Sequence, residues 1–113
     1  MSNPAVYPLA VRIGNTETVS VQLKDSSGTP VNITGRTYAA QIRETVEAAS
    51  PLASFSCSIT NGTAGQFACT LSATTTAALS AGVGVWDLQE TNGATVTTLL
   101  YGPVQIEKDV TRS

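Results

Sequence analysis

Turn-forming residues divide this chain into short segments at regular intervals. Such residues tolerate a positive φ or preset a turn, and they lie at Gly14-Asn15, Asp25–Pro30, Thr34-Gly35, Asn61–Gly65, Ala81-Gly82 and Asn92-Gly93. The segments between them have strand length: Val6–Ile13, Thr18–Lys24, Thr37–Glu44, Leu52–Thr60, Gln66–Leu71, Val83–Thr91 and Thr95–Ile106, the last expected to break at Gly102-Pro103. About seven short strands separated by turns are typical of an all-β antiparallel sandwich.

Polar and apolar side chains alternate along several of these segments. Val19, Val21 and Leu23 share one face of Thr18–Lys24, and Thr37–Glu44 alternates in the same way. One face of each strand is therefore expected to pack against a core while the other meets solvent or a partner. The 113 residues contain no internal repeat or linker, so we expect residues 1–113 to form a single domain.

The segment before Gly82 departs from the strand pattern. Ser72 is a suitable N-cap for a short helix, and a helix starting there would end near Gly82. The β-branched run Thr74–Thr76 weakens a helix. We therefore expect only one or two helical turns, which cross between the two sheets.

The two cysteines, Cys57 and Cys69, lie in a predicted hairpin around the loop Asn61–Gly65. Counting back from a five-residue loop pairs Thr60 with Gln66, Ile59 with Phe67, Cys57 with Cys69 and Phe55 with Leu71. The cysteines would then be cross-strand neighbours on an apolar face. A cytosolic origin favours free, buried thiols, and a cross-strand disulfide is the alternative.

The residue types that usually carry catalysis are scarce in this sequence. Histidine is absent, which removes imidazole-based nucleophilic sites and the usual imidazole metal sites. Most of the acids lie at the ends of predicted strands or in turns. Asp87, between Trp86 and Leu88, is the exception, and we expect it to face outward in a solvated or cross-strand polar role. The sequence therefore predicts no enzymatic activity, no catalytic, cofactor-binding or metal-binding residue, no cofactor and no small-molecule substrate.

Charge and hydropathy exclude two further classes of partner. Only 12% of residues are charged, and the net charge is −2, whereas nucleic-acid binding needs clustered lysine and arginine. No apolar stretch is long enough to cross a bilayer, and the N-terminus lacks the pattern of a secretory leader. We expect no nucleic-acid or membrane partner, and a protein made in the cytoplasm that leaves it only within a larger particle.

A series of landmarks runs along almost the whole chain in a distinctive order. They are Asp25–Val31, Ile33–Arg36, Gln41–Arg43, a mid-chain hairpin, Leu71-Ser72, a Thr/Ala-rich crossover ending at Gly82, Trp86–Gln89, Tyr101–Val104 and Lys108–Arg112. This order resembles the small immunoglobulin-like virion structural proteins of tailed bacteriophages. It is also similar to the N-terminal domain of some phage baseplate and fibre proteins.

The resemblance implies an immunoglobulin-like sandwich with an assembly role in the virion, in the tail, baseplate or fibre attachment or on the head surface. Its partners would be other virion proteins, and the chain would form a homo-oligomer or bind as a monomer to a lattice. A capsid decoration or cement protein is one alternative, and a carbohydrate-binding or adhesive β-sandwich is the other. Because the chain stops where such proteins continue into a fibre, a standalone adaptor, connector or decoration subunit is favoured over direct host recognition.

The candidate partner contacts are Pro4, Tyr7, Pro8 and Tyr101. Residues 1–8 resist regular pairing because of their two prolines and could form an extended arm, or a frayed terminus. A break at Gly102-Pro103 could leave a strand edge open to a partner strand, or be an ordinary bulge. In the last hairpin, a two-residue loop pairs Trp86 with Leu99 and a three-residue loop pairs it with Leu100, so the outer face there stays undetermined.

Overall fold

Alternating apolar side chains build two β-sheets that face each other. The computed structural model describes residues 5–108, and its elements are β1 (Ala5–Val6), β2 (Leu9–Ile13), β3 (Glu17–Gln22), β4 (Thr37–Arg43), β5 (Ala53–Ser54), β6 (Ser56–Asn61), β7 (Gln66–Leu71), α1 (Ala73–Ala77), β8 (Gly82–Asn92) and β9 (Thr95–Lys108). The large sheet has the order β1-β9-β8-β4-β5, with β2 also paired to β9, and the small sheet has the order β3-β7-β6. The predicted all-β sandwich with one short helix is confirmed.

The first predicted strand is split into β1 and β2, and both lie parallel to β9. Val6 pairs with Tyr101 and Leu9 with Val104, so the two short strands share one register on β9. Pro8 therefore lies beside Pro103, and neither proline can donate a backbone hydrogen bond to a ladder. All other ladders of the two sheets are antiparallel.

The fourth predicted strand is also split, because the chain changes sheets there. β5 pairs with β4 in the large sheet, whereas β6 pairs with β7 in the small sheet. Phe55 stands between them, buries its ring and donates its backbone N–H to the Ala40 carbonyl at 2.9 Å. Within residues 5–108 the seven or so predicted strands therefore become nine, because a proline interrupts one segment and a sheet switch divides another.

The core lies between the two sheets and receives large side chains from both. The fully buried set includes Ile42 and Leu88 from the large sheet and Phe67 and Leu71 from the small one. Each such side chain contributes about 1.5–3 kcal/mol on burial. Trp86 is also buried and contacts Phe55 with ring centroids 5.7 Å apart.

Helix α1 crosses between the sheets as expected and is capped by Ser72. The Ser72 hydroxyl accepts a hydrogen bond from the Thr75 backbone N–H at 3.2 Å. Thr76 is fully buried; its hydroxyl accepts from the Gly14 N–H and donates to the Asn15 carbonyl at 2.7 Å. The last residue of the threonine run therefore fixes the helix against the turn between β2 and β3.

The Cys57–Cys69 register is as predicted, but the redox state differs. Ile59 also pairs with Phe67 as expected, whereas Gln66 pairs with Asn61 instead of Thr60 because a bulge lies between Ile59 and Asn61. The structure joins Cys57 and Cys69 in a disulfide, with Cα atoms 4.0 Å apart. The prediction of free thiols is therefore wrong in this structure: direct opposition in an antiparallel ladder brings the two sulfur atoms into bonding reach.

The other predicted pair in that hairpin, Phe55 with Leu71, does not form. The β6–β7 ladder ends at the pair Ser56 and Thr70, one residue short of it. Phe55 instead lies where the chain passes between the two sheets, and its backbone N–H donates to the Ala40 carbonyl of the large sheet. The apolar pattern placed both side chains correctly in the core, although they are not ladder partners.

The final strand, β9, is continuous, and the predicted break at Gly102-Pro103 is wrong. β9 lies inside the large sheet, between β8 on one side and β1 and β2 on the other. It therefore offers no free edge at Pro103 to an added strand. The irregularity occurs earlier, where the β8–β9 register shifts between the pairs Leu88–Leu100 and Gln89–Thr98.

That bulge overturns both registers considered for the last hairpin. Asn92 pairs with Thr95, so the loop consists of Gly93 and Ala94, and the extra residue Leu99 moves the register once more. Trp86 therefore lies opposite Gly102 rather than opposite a leucine. This pairing decides which side chains of β9 reach the outer face of the large sheet.

Candidate assembly surface

The outer face of the large sheet carries an unusual number of exposed apolar side chains. Together with the half-buried Val85, they form what we call the outer apolar face, whose exposed members are Val6, Val46, Val83, Tyr101 and Pro103. Val83 is 75% exposed, Val6 is 60% exposed and Tyr101 is 44% exposed. Single exposed apolar residues are normal on protein surfaces, but a contiguous group marks an interaction site.

The strand registers place these residues in adjacent rows. One row runs across four strands through Gln41, Asp87, Tyr101 and Val6. The next row runs through Arg43, Val85 and Pro103. Because side chains two residues apart on a strand share a face, Val83 extends the apolar surface beyond Val85 along β8.

A groove of about 600 Å³ runs across these rows. Val46, in the loop after β4, forms one wall, and Val6 and Tyr101 form the opposite side. Trp86 contributes to the lining from below, although its ring faces the core. The three polar side chains of the groove are Gln41, Arg43 and Asp87.

Arg43 and Asp87 differ in how they are held. The Arg43 guanidinium donates to the Ala48 carbonyl at 2.7 Å and to the Gln41 side-chain oxygen at 2.9 Å. Asp87 faces outward between the buried Trp86 and Leu88, as expected. Its carboxylate makes no hydrogen bond or ion pair within residues 5–108. The groove therefore holds one fixed cation and one half-buried, unpaired anion.

The edge of the face is fixed by a contact between the first strand and the middle of the sheet. The Trp86 indole Nε1–H donates to the Tyr7 carbonyl at 2.8 Å, and the two rings meet edge to face at 5.9 Å. Gly102 permits this approach, because a Cβ there would lie 2.6 Å from the Tyr7 oxygen. The Tyr7 N–H also donates to the Tyr101 carbonyl at 2.8 Å.

Three of the four predicted contact residues lie together on this edge. Tyr7, Pro8 and Tyr101 are all exposed, and the pairing of β1 and β2 with β9 holds the first two in place rather than leaving them as a free arm. Pro4 lies outside the described residues. Val46, Val83 and Val85 were not among the predicted contacts. For Val83 and Val85 a signal is visible in the sequence, because β8 carries apolar residues at its outward as well as its inward positions.

One buried polar cluster lies elsewhere, at the inner side of the large sheet. Glu90 is buried, accepts a hydrogen bond from the Tyr38 hydroxyl at 2.7 Å and pairs with Arg36 at 3.3 Å. Burial, followed by the hydrogen bond to Glu90, raises the pKa of Tyr38 well above its ordinary value. The Tyr38 ring stacks on Phe67 with centroids 3.7 Å apart. The cluster is internally satisfied and faces the core, so we assign it a structural role.

Between residues 5 and 108, no group of three or more histidine, cysteine, aspartate or glutamate side chains could hold a metal ion. Within that range no helix is both long and apolar enough to cross a membrane.

Comparison with known proteins shows a likeness of fold. The sequence matches no family model and no curated protein. Among solved structures, the chain is similar to the N-terminal domain of phage TP901-1 ORF48, with 15% identity and a TM-score of 0.57, over 95% of this chain and 92% of that one. A likeness to Listeria monocytogenes InlP has 15% identity and a TM-score of 0.47, over 88% of this chain and 26% of that one. At this identity the first likeness supports a shared sandwich fold, and the second is too low to add to it.

Proposed function

We propose that this protein is a non-enzymatic structural subunit of a bacteriophage particle, and that it attaches other virion proteins through the outer apolar face. The observation that carries the proposal is that face itself, where Val6, Val83 and Tyr101 stay exposed on a rigid sheet. Burying such a surface against a partner is favourable, because apolar area is removed from water.

The inner construction of the domain supports a scaffold role. No buried side-chain nitrogen or oxygen atom within residues 5–108 lacks a hydrogen-bond partner. Catalytic sites commonly keep perturbed acids and bases in a cleft, whereas the buried acid Glu90 is tied to Tyr38 and Arg36. The likeness to the phage TP901-1 ORF48 domain extends over nearly the full length of both chains, which favours a phage particle over other assemblies.

The location within the particle distinguishes two versions of the proposal. A tail, baseplate or fibre-attachment subunit is the first, and a capsid decoration or cement protein is the second. The decisive experiment is quantitative mass spectrometry of particles from the phage that encodes the chain, with heads and tails separated.

The number of copies per particle, and whether they are found with the heads or the tails, distinguish the two versions. A few to a few dozen copies with the tails support the connector or baseplate version. A copy number similar to that of the major capsid protein, in the head fraction, supports the decoration version. Absence from both fractions overturns the proposal. Incorporation should also fall for Tyr101→Arg, which places a charge on the outer apolar face, and should persist for Lys24→Asp, which changes an exposed residue near the small sheet.

A further inference from the structure

We infer that the outer apolar face binds a second copy of this chain in a two-fold symmetric dimer. A second copy is a partner for the same surface that the proposed function uses. Only the role of the dimer within a particle rests on that proposed function. Dimer formation can be measured without any particle, so the two proposals fail independently.

The arrangement of charge on the outer apolar face favours a symmetric dimer. Arg43 pairs with Val85 across β4 and β8, and Asp87 pairs with Gln41 in the adjacent row. Arg43 and Asp87 are therefore diagonal neighbours of opposite sign. Suppose that two copies meet face to face and are related by a two-fold axis that lies in the plane of contact. If this axis runs at right angles to the line joining the two residues, it brings Arg43 against the partner's Asp87. The same contact is repeated by symmetry.

An interface between identical copies requires this kind of self-complementarity, because the same patch serves both sides. One cation and one anion on the face satisfy the requirement with no net charge. A face built for a foreign partner has no need to carry both signs in diagonal positions. The carboxylate of Asp87, which has no partner within residues 5–108, would gain one in the dimer, and the bonds from Arg43 to Gln41 and Ala48 hold the guanidinium in place before binding.

The apolar surface beside this charge pair also favours contact with a second copy. Val85 and Pro103 lie in the Arg43 row, and Val6 and Tyr101 lie in the Asp87 row. A charge pair flanked by aliphatic and aromatic side chains suits an interface, because apolar contacts then shield the polar ones from water on that side. Charge pairing then sets the orientation of the two copies.

The test uses charge reversal and mixing of the full-length chain. Sedimentation velocity should show the wild-type protein as a dimer in equilibrium with monomer below the millimolar range. Asp87→Arg places two arginines opposite each other at both symmetry-related contacts, and Arg43→Asp places two aspartates there. Each variant should weaken dimerisation at least about tenfold.

Mixing the two monomeric variants should restore association, because one chain of the mixed pair then carries arginine at both positions and the other carries aspartate at both. Every contact across the two-fold axis again joins opposite charges. Lys24→Asp changes charge by the same amount as Arg43→Asp at a distant site. Mixed with Asp87→Arg it still leaves one of the two contacts between two arginines, so this mixture should associate more weakly than the mixture of Arg43→Asp with Asp87→Arg. Circular dichroism of each variant confirms the fold.

A wild-type chain that stays monomeric up to the millimolar range overturns the inference, and so does a mixture that fails to associate while both variants are folded. If one reversal variant does not fold, Tyr101→Arg provides the test, since it alters only an exposed side chain and must also weaken the dimer. A monomer found in virions contradicts the dimer alone, and a dimer missing from virions contradicts the proposed function alone.

Discussion

The indole Nε1 of Trp86 donates a hydrogen bond to the carbonyl oxygen of Tyr7 at 2.8 Å. This bond joins the segment between β1 and β2 to a buried side chain in the middle of the large sheet. It is possible because Gly102, opposite Trp86 on β9, has no side chain to hold Tyr7 away. The position of Tyr7, and with it one edge of the outer apolar face, therefore depends on three residues far apart in sequence.

Replacing Gly102 with alanine should displace the first strand. The new Cβ would lie 2.6 Å from the Tyr7 carbonyl oxygen and 3.0 Å from its carbon, and backbone atoms cannot rotate away. We expect Gly102→Ala to lower the free energy of unfolding by about 1–3 kcal/mol, as other overpacked sites do. Urea denaturation followed by Trp86 fluorescence measures this change.

Gly62→Ala is the matched control for that substitution. A Cβ at Gly62 meets the Thr34 hydroxyl at 2.7 Å, but that atom ends an exposed side chain that can change rotamer. We expect its cost to be smaller than that of Gly102→Ala. Equal costs for the two variants would contradict the argument that the Tyr7 backbone is held at Gly102.

Removing the disulfide should destabilise the domain without changing its topology. Cys57 and Cys69 are 12 residues apart, and closing a loop of that length stabilises a protein by about 2–3 kcal/mol through the unfolded chain. The double variant Cys57→Ala and Cys69→Ala should lose about that much in denaturant, and the wild-type protein should show the same loss only when a reductant is added.

Alkylation checks the redox state directly. The unreduced wild-type chain, denatured in iodoacetamide, should gain no mass, and after reduction it should gain two labels. Alkylation before reduction would show free thiols. If the reductant lowered the stability of the alanine variant as much as that of the wild type, the loss would not be caused by breaking the Cys57–Cys69 disulfide.

The elements that could be predicted from the sequence are those set by local alternation. The apolar positions of Gln66–Leu71 and the cap at Ser72 depend on neighbouring residues, and both are confirmed. The Cys57–Cys69 register was also predicted correctly, because the apolar face agrees with it; the loop is one residue shorter than expected, and the bulge between Ile59 and Asn61 makes up the difference. Whether those thiols are oxidised is not encoded in spacing, since it depends on the redox environment as well as on geometry.

Local alternation along β8 could have indicated Val83 and Val85, but the rest of the outer apolar face could not be predicted because it depends on register across strands distant in sequence. The bulge at Leu99 and the loop Gly93-Ala94 together decide that Tyr101 faces outward next to Asp87. A one-residue error reverses every side chain of a strand. Val46 reaches the groove from a loop, and loop positions have no periodicity from which a location could be inferred.

The lining of the groove predicts weak or absent carbohydrate binding. Sugar sites combine an exposed aromatic ring with several polar side chains, whereas most residues lining this groove are apolar and its Arg43 is already engaged by Gln41 and Ala48. A glycan array should give no signal above that of an unrelated domain. Binding that disappears in Tyr7→Ser or Tyr101→Ser, and not in Val96→Ser, would instead favour the adhesive alternative.

Alkaline pH should destabilise the domain through Tyr38. Its pKa is raised by burial and by its hydrogen bond to Glu90, so the folded chain holds the phenolic proton more tightly than the unfolded chain, where tyrosine titrates near pH 10. The stabilising contribution is therefore complete below about pH 10 and is lost as the pH rises above that value.

Tyr38→Phe isolates this effect because the ring can keep its stack on Phe67 while losing the hydroxyl. At neutral pH we expect Tyr38→Phe to cost about 1–3 kcal/mol, since a hydrogen bond to a buried carboxylate is lost. The difference between wild type and variant should shrink as denaturation is measured above about pH 10. Tyr101→Phe, whose hydroxyl makes no hydrogen bond within residues 5–108, should follow the wild-type profile. A constant difference across this pH range would show that the Tyr38 proton is not linked to folding.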